Sequence, residues 1–356
     1  MGLLSRKGFT NYPYAVARVQ AKRAKLIPRS EYAKILKMDV AEITRFIQDS
    51  AYKSEVDELA SKFVGLDLLE AALTVNEERT YEQVRQMLSG EGGALINLFL
   101  DRYHFEDVKT LLRGKNAGAT RDELLREMVL ENEHAYGLFA PALSDDVKGI
   151  PDVVAAFEKG PHASREWAAI LAKVPAGSPL PRYEDALDKA YYSRLVAALE
   201  QSTEKGSKEM QEFVRREIDT RNLLNAARWV AAGEAGDFSP YVVPGGRSLK
   251  VADVMGLARA KDLAAMAEML ADSRAYATVR EELAKAGETR RLGPFQAAVW
   301  RAHLAQLDLL AHGNPLSIIP ILLFLVRKHR EVTTLRAVAR GKAAGLSEER
   351  LQELVV

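Results

Sequence analysis

The residues able to do chemistry begin with six histidines, His104, His134, His162, His303, His312 and His329, in a chain of 356 residues without cysteine. No two of them stand three or four residues apart. A helix-borne metal pair is therefore not expected. His104 with Asp107 is a lone i,i+3 pair and reads as structural. Without Cys there is no disulfide framework, zinc ribbon, Cys-ligated cluster or thiol nucleophile, and the chain tolerates a reducing, cytoplasmic setting. A phosphate loop needs G-x-x-x-x-G-K-[ST]. Gly114-Lys115 and Gly341-Lys342 are followed by Asn116 and Ala343, and Lys109 and Arg336 occupy the first glycine's place. Gly90-Glu91-Gly92-Gly93 has Leu95 where a dinucleotide fingerprint has its third glycine, and no strand precedes it. Carboxylate pairs such as Asp145-Asp146 and Glu77-Glu78 are ordinary at 28% charged residues and carry no acid/base signature. No catalytic residue, cofactor, metal or small-molecule substrate is expected.

The elements that position these residues read as helices. Val56, Leu59, Phe63 and Leu66 form one amphipathic face across Ser54–Leu73, with Glu58 and Lys62 paired outside it. Ser207–Ala232 and Pro315–Ala344 read as long helices, the second disturbed at Pro320. Breakers cluster at Ser89–Gly93, Gly114–Gly118, Pro175–Pro181, Gly233–Gly246 and Gly313–Pro315. Only Tyr241-Val242-Val243 would pass as a short strand or extended loop. The composition, 47% hydrophobic with 23 Gly and 13 Pro, is that of an ordinary globular protein. The expected class is all-α. The most apolar run, Ser317–Val326, falls short of the ~20 residues of a spanning helix and contains Pro320. Arg6 stands where a myristoylation site would want Ser or Thr, and no signal-peptide apolar region follows Lys7.

Formal charge is +1, from 50 Lys+Arg against 49 Asp+Glu, which argues against a general nucleic-acid binder. The balance hides an asymmetry. Arg6, Lys7, Arg18, Lys22, Arg23, Lys25 and Arg29 give the first 30 residues a charge of +7, leaving −6 beyond. Such a segment can dock on anionic lipid or an acidic partner, or can be a solvated helix face beginning after Pro13. Its hydroxyl residues are too few for a transit peptide.

Three stretches resemble one another: Phe99–Gly118, Phe213–Gly233 and Phe324–Gly345. Aligning Arg113, Arg228 and Arg340 sets them 115 and 112 residues apart. A second block recurs upstream as Ser50-Ala51-Tyr52 and Arg274-Ala275-Tyr276, whereas Pro161-His162-Ala163 departs from it. The period is too long for a solenoid and fits three homologous helical domains, 1–119, 120–236 and 237–356, around a pseudo-threefold axis in a funnel-like shape. Nine residues before the aligned Arg stand His104, Asp219 and Glu331, on the opposite side of a straight helix from it. They fall inside an apolar stripe in which Thr220 is the one polar exception. Six before stand Asp107, Asn222 and Thr334. The minus-nine group and the Arg of one helix cannot bridge each other. A polar group on an apolar stripe needs a partner from another helix of its domain or from another subunit. Arg-Gly-Lys at 113–115 and 340–342 reads as a cation and glycine that end a helix.

These residues resemble the C subunit of the archaeal A-type (V/A-type) ATP synthase, which is similar to the d subunit of eukaryotic V-ATPases. The likeness runs from about Tyr12 to the C-terminus. It is carried by Tyr12–Leu26, LKMDVAEITRFIQ within Tyr32–Tyr52, Val108–Lys115, Tyr183–Leu195 with Tyr191-Tyr192, Glu217–Arg228, Pro244-Gly245-Gly246 and Glu331–Gly345. Asp107 and Thr334 depart from the Asn seen at Asn222, and His162 replaces an expected Tyr. The resemblance implies an all-α funnel of three like domains and a non-catalytic part of the central stalk. It further implies a cavity that receives rotor-shaft subunits of the D and F type, and a wide end resting on the membrane proteolipid ring. The implied work is transmission of torque for ATP synthesis coupled to proton or sodium transport, peripherally at the cytoplasmic side of the cell membrane. Charge complementarity would set the contacts, with Arg18, Lys22 and Arg23 as candidates. His104, Asp107, Arg113, Asp219, Asn222, Arg228, Glu331 and Arg340 are the remaining candidate interface or interhelical positions. Two other readings stand beside this one. A helical protein-binding scaffold unconnected to an ATPase would not co-purify with proteolipid and catalytic subunits. A nucleic-acid-associated helical protein would show salt-dependent retention through residues 1–30.

Overall fold

The computed structural model describes residues 11–128, 133–271, 276–353 and 355. Among these the fold is all-α, with eighteen α-helices, two 3-10 turns and no strand. Arg6 and Lys7 of the basic segment, and Arg274 and Ala275 of the second block, lie outside the described residues.

Short helices followed by two long ones recur along the chain. The short helices α1 (Tyr12–Arg23), α2 (Tyr32–Ile35), α3 (Val40–Gln48) and α4 (Lys53–Leu59) precede the long α5 (Gly65–Met87) and α6 (Gly90–Ala117). Next, α7 (Arg121–Glu127), α8 (Glu133–Leu143), α9 (Gly149–Glu158) and α10 (His162–Leu171) precede α11 (Leu180–Gln201) and α12 (Ser207–Ala232). Last, α13 (Val251–Leu257), α14 (Leu263–Met269) and α15 (Ala277–Thr289) precede α16 (Gly293–Gly313) and α17 (Ile319–Ala343), and α18 (Glu348–Gln352) follows.

Local sequence explains most of the boundaries. Asp39 and Thr120 form capping boxes at the starts of α3 and α7. Pro320 lies in the first turn of α17, where its missing N–H has no intrahelical partner to lose, so it opens the helix instead of disturbing it. The amphipathic face expected over Ser54–Leu73 is broken. Val64 is extended and 80% exposed, and Gly65 enters α5 at φ 59°, a left-handed backbone that interrupts the helix. The segment at Val242 is an extended loop after a 3-10 turn.

The Arg-Gly-Lys triplets follow the expectation in their cations but not in their glycines. Lys115, Arg340 and Lys342 stand in the last turns of α6 and α17, as expected, but the glycine of each triplet does not stop its helix, which continues to Ala117 or Ala343. A Cβ on Gly114 would stand 2.4 Å from Leu124 Cδ2, and one on Gly341 2.4 Å from Leu351 Cδ2. The two glycines let α7 and α18 close over the long helices.

The apolar cores mix distant parts of the chain. Tyr32, Ile43, Ile47 and Tyr52 from the first short helices share a cluster with Leu69 and Leu73 of α5 and with Val332, Leu335 and Val338 of α17. Val254, Met266 and Leu283 from α13–α15 cluster with Leu223 of α12 and Phe295 of α16. Phe139, Phe157 and Trp167 from α8–α10 pack with Phe105 and Val108 of α6 and Leu187 of α11, in a larger core that extends to the starts of α12 and α17. Each set of short helices therefore packs on the long helix immediately before it in the chain. The first set, which has none before it, packs on the last, α17. No helix of the described residues is long and apolar enough to cross a membrane.

Candidate functional site: the junction of the repeat helices

The three aligned arginines make corresponding contacts. Arg113 of α6 donates to Glu184 of α11 at 2.6 and 2.9 Å. Arg340 of α17 donates to Glu70 of α5 at 2.5 and 2.9 Å, and also to Glu127. Arg228 of α12 reaches Gln296 Oε1 of α16 at 3.2 Å. Glu70, Glu184 and Gln296 recur along the chain at nearly the same spacing as the arginines. Each arginine thus bridges to the first long helix of the next repeat, with the third returning to the first. With a neutral partner and Arg221 nearby, Arg228 has its pKa held below the usual arginine value, chiefly by burial and then by that like charge.

The minus-nine carboxylates find partners in the same chain but outside the domain expected for each, Asp219 in residues 247–276 and Glu331 chiefly in residues 27–52. Asp219 accepts from the backbone N–H groups of Arg247, Ser248 and Leu249 at 3.1, 2.7 and 3.2 Å, and from the Tyr276 hydroxyl. Burial raises its pKa, and these hydrogen bonds oppose the rise. Glu331 accepts from Ile27 N at 2.5 Å, Tyr52 Oη at 2.6 Å and Lys328 Nζ at 3.1 Å. The recurring Tyr of the upstream block therefore meets the minus-nine carboxylate twice. In the remaining repeat the pattern changes in step with the sequence. His104 stands with its Nδ1 3.9 Å from Asp101 and its ring tilted against Trp167 of α10. His162, at the departed block, lies 3.5 Å from Glu166 instead.

At minus six, Asn222 exchanges two hydrogen bonds of 2.8 Å with the backbone of Val243, fixing the extended segment against α12. Asp107 is buried on α6. In the basic segment, Arg18 is exposed and donates to Tyr14 Oη at 2.5 Å. Lys22 donates to Gln83 of α5, and burial, then Arg18, lowers its pKa. Arg23 ends α1 beside a cavity shared with α16 and α17. These candidates occupy three long helices and α1, and they do not converge on one reaction centre.

What does converge is a second set of residues. A cavity of about 240 Å³ lies where α6, α11, α12, α16 and α17 meet. Arg102 crosses it with a two-pronged bridge to Glu217, at 2.7 and 3.0 Å, and stacks 3.7 Å over the Phe99 ring. Burial works to raise the Glu217 carboxyl, but the Arg102 charge and hydrogen bonds, joined by His303 and Arg221, together outweigh it and hold the pKa below the usual carboxylate value. Lys109 at 2.5 Å and Arg221 both donate to Asp188. His329 lies 3.0 Å from Glu77, which also accepts from Tyr81 at 2.5 Å. His303 stacks on Phe213 at 4.3 Å, and burial pushes its pKa down to about 4.

Sequence reasoning misses this set although a signal is present. Arg102, Glu217 and His329 all stand eleven residues before the aligned arginine. The positions share a register but not a residue type, so the pattern looks like noise until the helices are seen to face one another. No group of three His, Asp or Glu among the described residues is arranged to hold a metal ion. The junction is a set of paired charges and stacked rings, an arrangement that fixes helices relative to one another.

Comparison with known proteins gives a concordant result. Residues 15–354 match the model of the ATP synthase (C/AC39) subunit family. The C subunit of the A-type ATP synthase of Methanosarcina mazei is 33% identical over 353 residues, covering 99% of this chain and 94% of that protein. The protein of the same name from Methanosarcina acetivorans is 34% identical over 355 residues, with 99% and 94% coverage. That of Haloferax volcanii is 32% identical over 354 residues, with 99% and 100% coverage.

Proposed function

The chain belongs to the ATP synthase (C/AC39) subunit family, and from that premise we propose that it is the non-catalytic adapter of the central stalk, joining the rotor shaft to the membrane proteolipid ring. In this reading shaft subunits of the D and F type enter its cavity, and its broad face rests on the ring at the cytoplasmic side of the cell membrane. It passes torque between them during ATP synthesis coupled to proton or sodium transport.

The observation that supports this reading best is the cyclic exchange among repeats. Taking 1–119, 120–236 and 237–356 as three units, the short helices of each pack on the last long helix of the unit before. The arginine of that long helix bridges forward to the next unit, through Arg113–Glu184, Arg228–Gln296 and Arg340–Glu70. A ring closed on itself in this way resists splaying, which a torque-bearing collar requires and a flexible scaffold does not. The junction charges are spent on one another, which suits a stiff part better than a proton-transfer site.

Arg18, Lys22 and Arg23 are the proposed polar contacts to the rest of the rotor. The test is reconstitution of the full chain with shaft subunits and proteolipid ring, followed by isolation of the intact rotor. The chain should be required for the shaft to be retained on the ring, and replacing the three basic residues with Glu should weaken retention. A shaft that stays on the ring without this chain would overturn the reading.

A further inference from the structure

A cavity of about 590 Å³, larger than the one at the junction, opens between α16, α17 and the segment that follows α1. Its charge is one-sided. Five arginines line it: Arg23, Arg29, Arg301, Arg327 and Arg330. Among the described residues only two carboxylates do, and both are engaged, Asp308 with Arg327 at 2.5 Å and Glu331 with Ile27, Tyr52 and Lys328. Among the described residues, Arg23, Arg29, Arg301 and Arg330 have no ion-pair partner. Arg330 is the sharpest case, since its Nε is out of reach of solvent and has no acceptor. Burial also holds its pKa below the usual arginine value, with Tyr32 opposing the shift. Elsewhere this chain pairs its arginines closely, as at Arg102, Arg113 and Arg340.

Planar guanidinium groups gathered around a concave surface favour a multidentate oxyanion, because each presents a fork of donors matched to carboxylate or phosphate oxygens. A single carboxylate would leave most of the surplus unanswered. A short chain of phosphoryl groups brings several charges in a volume the cavity can hold. We propose that this cavity is a binding site for a soluble polyphosphate chain of two or three phosphoryl groups. Arg301 and Arg330 grip it from the two long helices, and Arg23 and Arg29 close over it from the N-terminal segment. Occupancy would tie α1 to α17 and stiffen the seam at which the first and last parts of the chain meet.

Titration calorimetry of the full chain with tripolyphosphate tests this, with inorganic phosphate as the weaker ligand for comparison. One saturable site is expected, with affinity falling at least tenfold in Arg301→Gln and further in Arg301→Gln/Arg330→Gln. The charge-matched control Arg259→Gln, at an exposed position outside the cavity, should bind like the parent. Arg301 is exposed, so its replacement does not put folding at risk. Tripolyphosphate should raise the Tm of the parent chain and leave that of the double variant unchanged. Absence of saturable binding would overturn the proposal, as would equal losses in Arg259→Gln. Loss of shaft retention in the arginine variants without any tripolyphosphate binding would also overturn it, in favour of an acidic protein segment.

Discussion

Tyr52 Oη donates to Glu331 Oε1 at 2.6 Å across 279 residues of chain. Lys328 completes the group, donating to Tyr52 Oη at 2.7 Å and lying 3.9 Å over its ring. Burial, then the Glu331 charge, lifts the phenol pKa well above its ordinary value, so the hydroxyl stays a donor throughout the working pH range. The same carboxylate accepts from Ile27 N. One side chain of α17 therefore fastens both the end of the N-terminal segment and the α3–α4 turn. Tyr276 and Asp219 repeat the contact between the third set of short helices and α12.

Tyr52→Phe keeps the ring and removes only the hydroxyl, leaving Glu331 with two of its three donors. The expected cost is about 1.5–3 kcal/mol, the range for a hydrogen bond to a charged group. Urea unfolding should show a lower midpoint with an unchanged m-value. Tyr276→Phe should cost a similar amount. A midpoint unmoved in both variants would mean that these contacts do not fasten the helices.

Glu217 is buried and Arg102 mostly so, and each satisfies the other. Removing one partner strands a charge in the junction. Arg102→Met or Glu217→Met should each cost about 3–5 kcal/mol. The double variant should recover much of that loss, since two apolar side chains leave no stranded charge. A double-mutant cycle by chemical denaturation measures the coupling, and strictly additive losses would show that the pair is not a unit.

The helical class is legible in the sequence because periodicity reports a face without needing a partner for it. The bounds of α12 coincide with the expected Ser207–Ala232, since Gly206 and Gly233 flank it in left-handed backbone. Asp219 and Glu331 stand out as polar residues on an apolar stripe, but nothing in their spacing names Tyr276 or Tyr52 as partners. Those tyrosines are visible only as members of a recurring block. The bridge of Arg102 to Glu217 is hidden for another reason. Opposite charges at equivalent positions of two repeats carry meaning only once the helices face each other. Gly114 and Gly341 mislead because a glycine beside a cation near a helix end has the same sequence signature whether it stops the helix or admits a neighbour.

Gly114 and Gly341 give a prediction that separates those two roles. An alanine in mid-helix ordinarily stabilises relative to glycine. Here the added Cβ would collide with Leu124 Cδ2 or Leu351 Cδ2, the ends of two buried side chains that would have to repack. Gly114→Ala and Gly341→Ala should therefore destabilise by about 1–3 kcal/mol, the cost of overpacking. Combining Gly114→Ala with Leu124→Ala should cost less than the sum of the two. Stabilisation by either glycine replacement would restore the helix-stop interpretation.

His303 sets a pH dependence whose sign is fixed by its surroundings. Its ring stacks on Phe213 and sits 5.8 Å from Trp300, with Glu217, Arg102 and Arg216 as the charged groups acting on it. Burial lowers its pKa from 6.5 to about 4, Glu217 opposing and the two arginines assisting. A group depressed in the folded state binds its proton more readily when unfolded. Its contribution to stability is therefore complete above pH about 6.5 and is lost as pH falls from there towards about 4. His303→Phe keeps an aromatic ring on Phe213 and removes the titration. Between pH 7 and pH 4.5 the parent should lose more stability than this variant, by on the order of 2 kcal/mol. Parallel pH profiles of Tm for the two proteins would show instead that the imidazole titrates alike in the folded and unfolded chains.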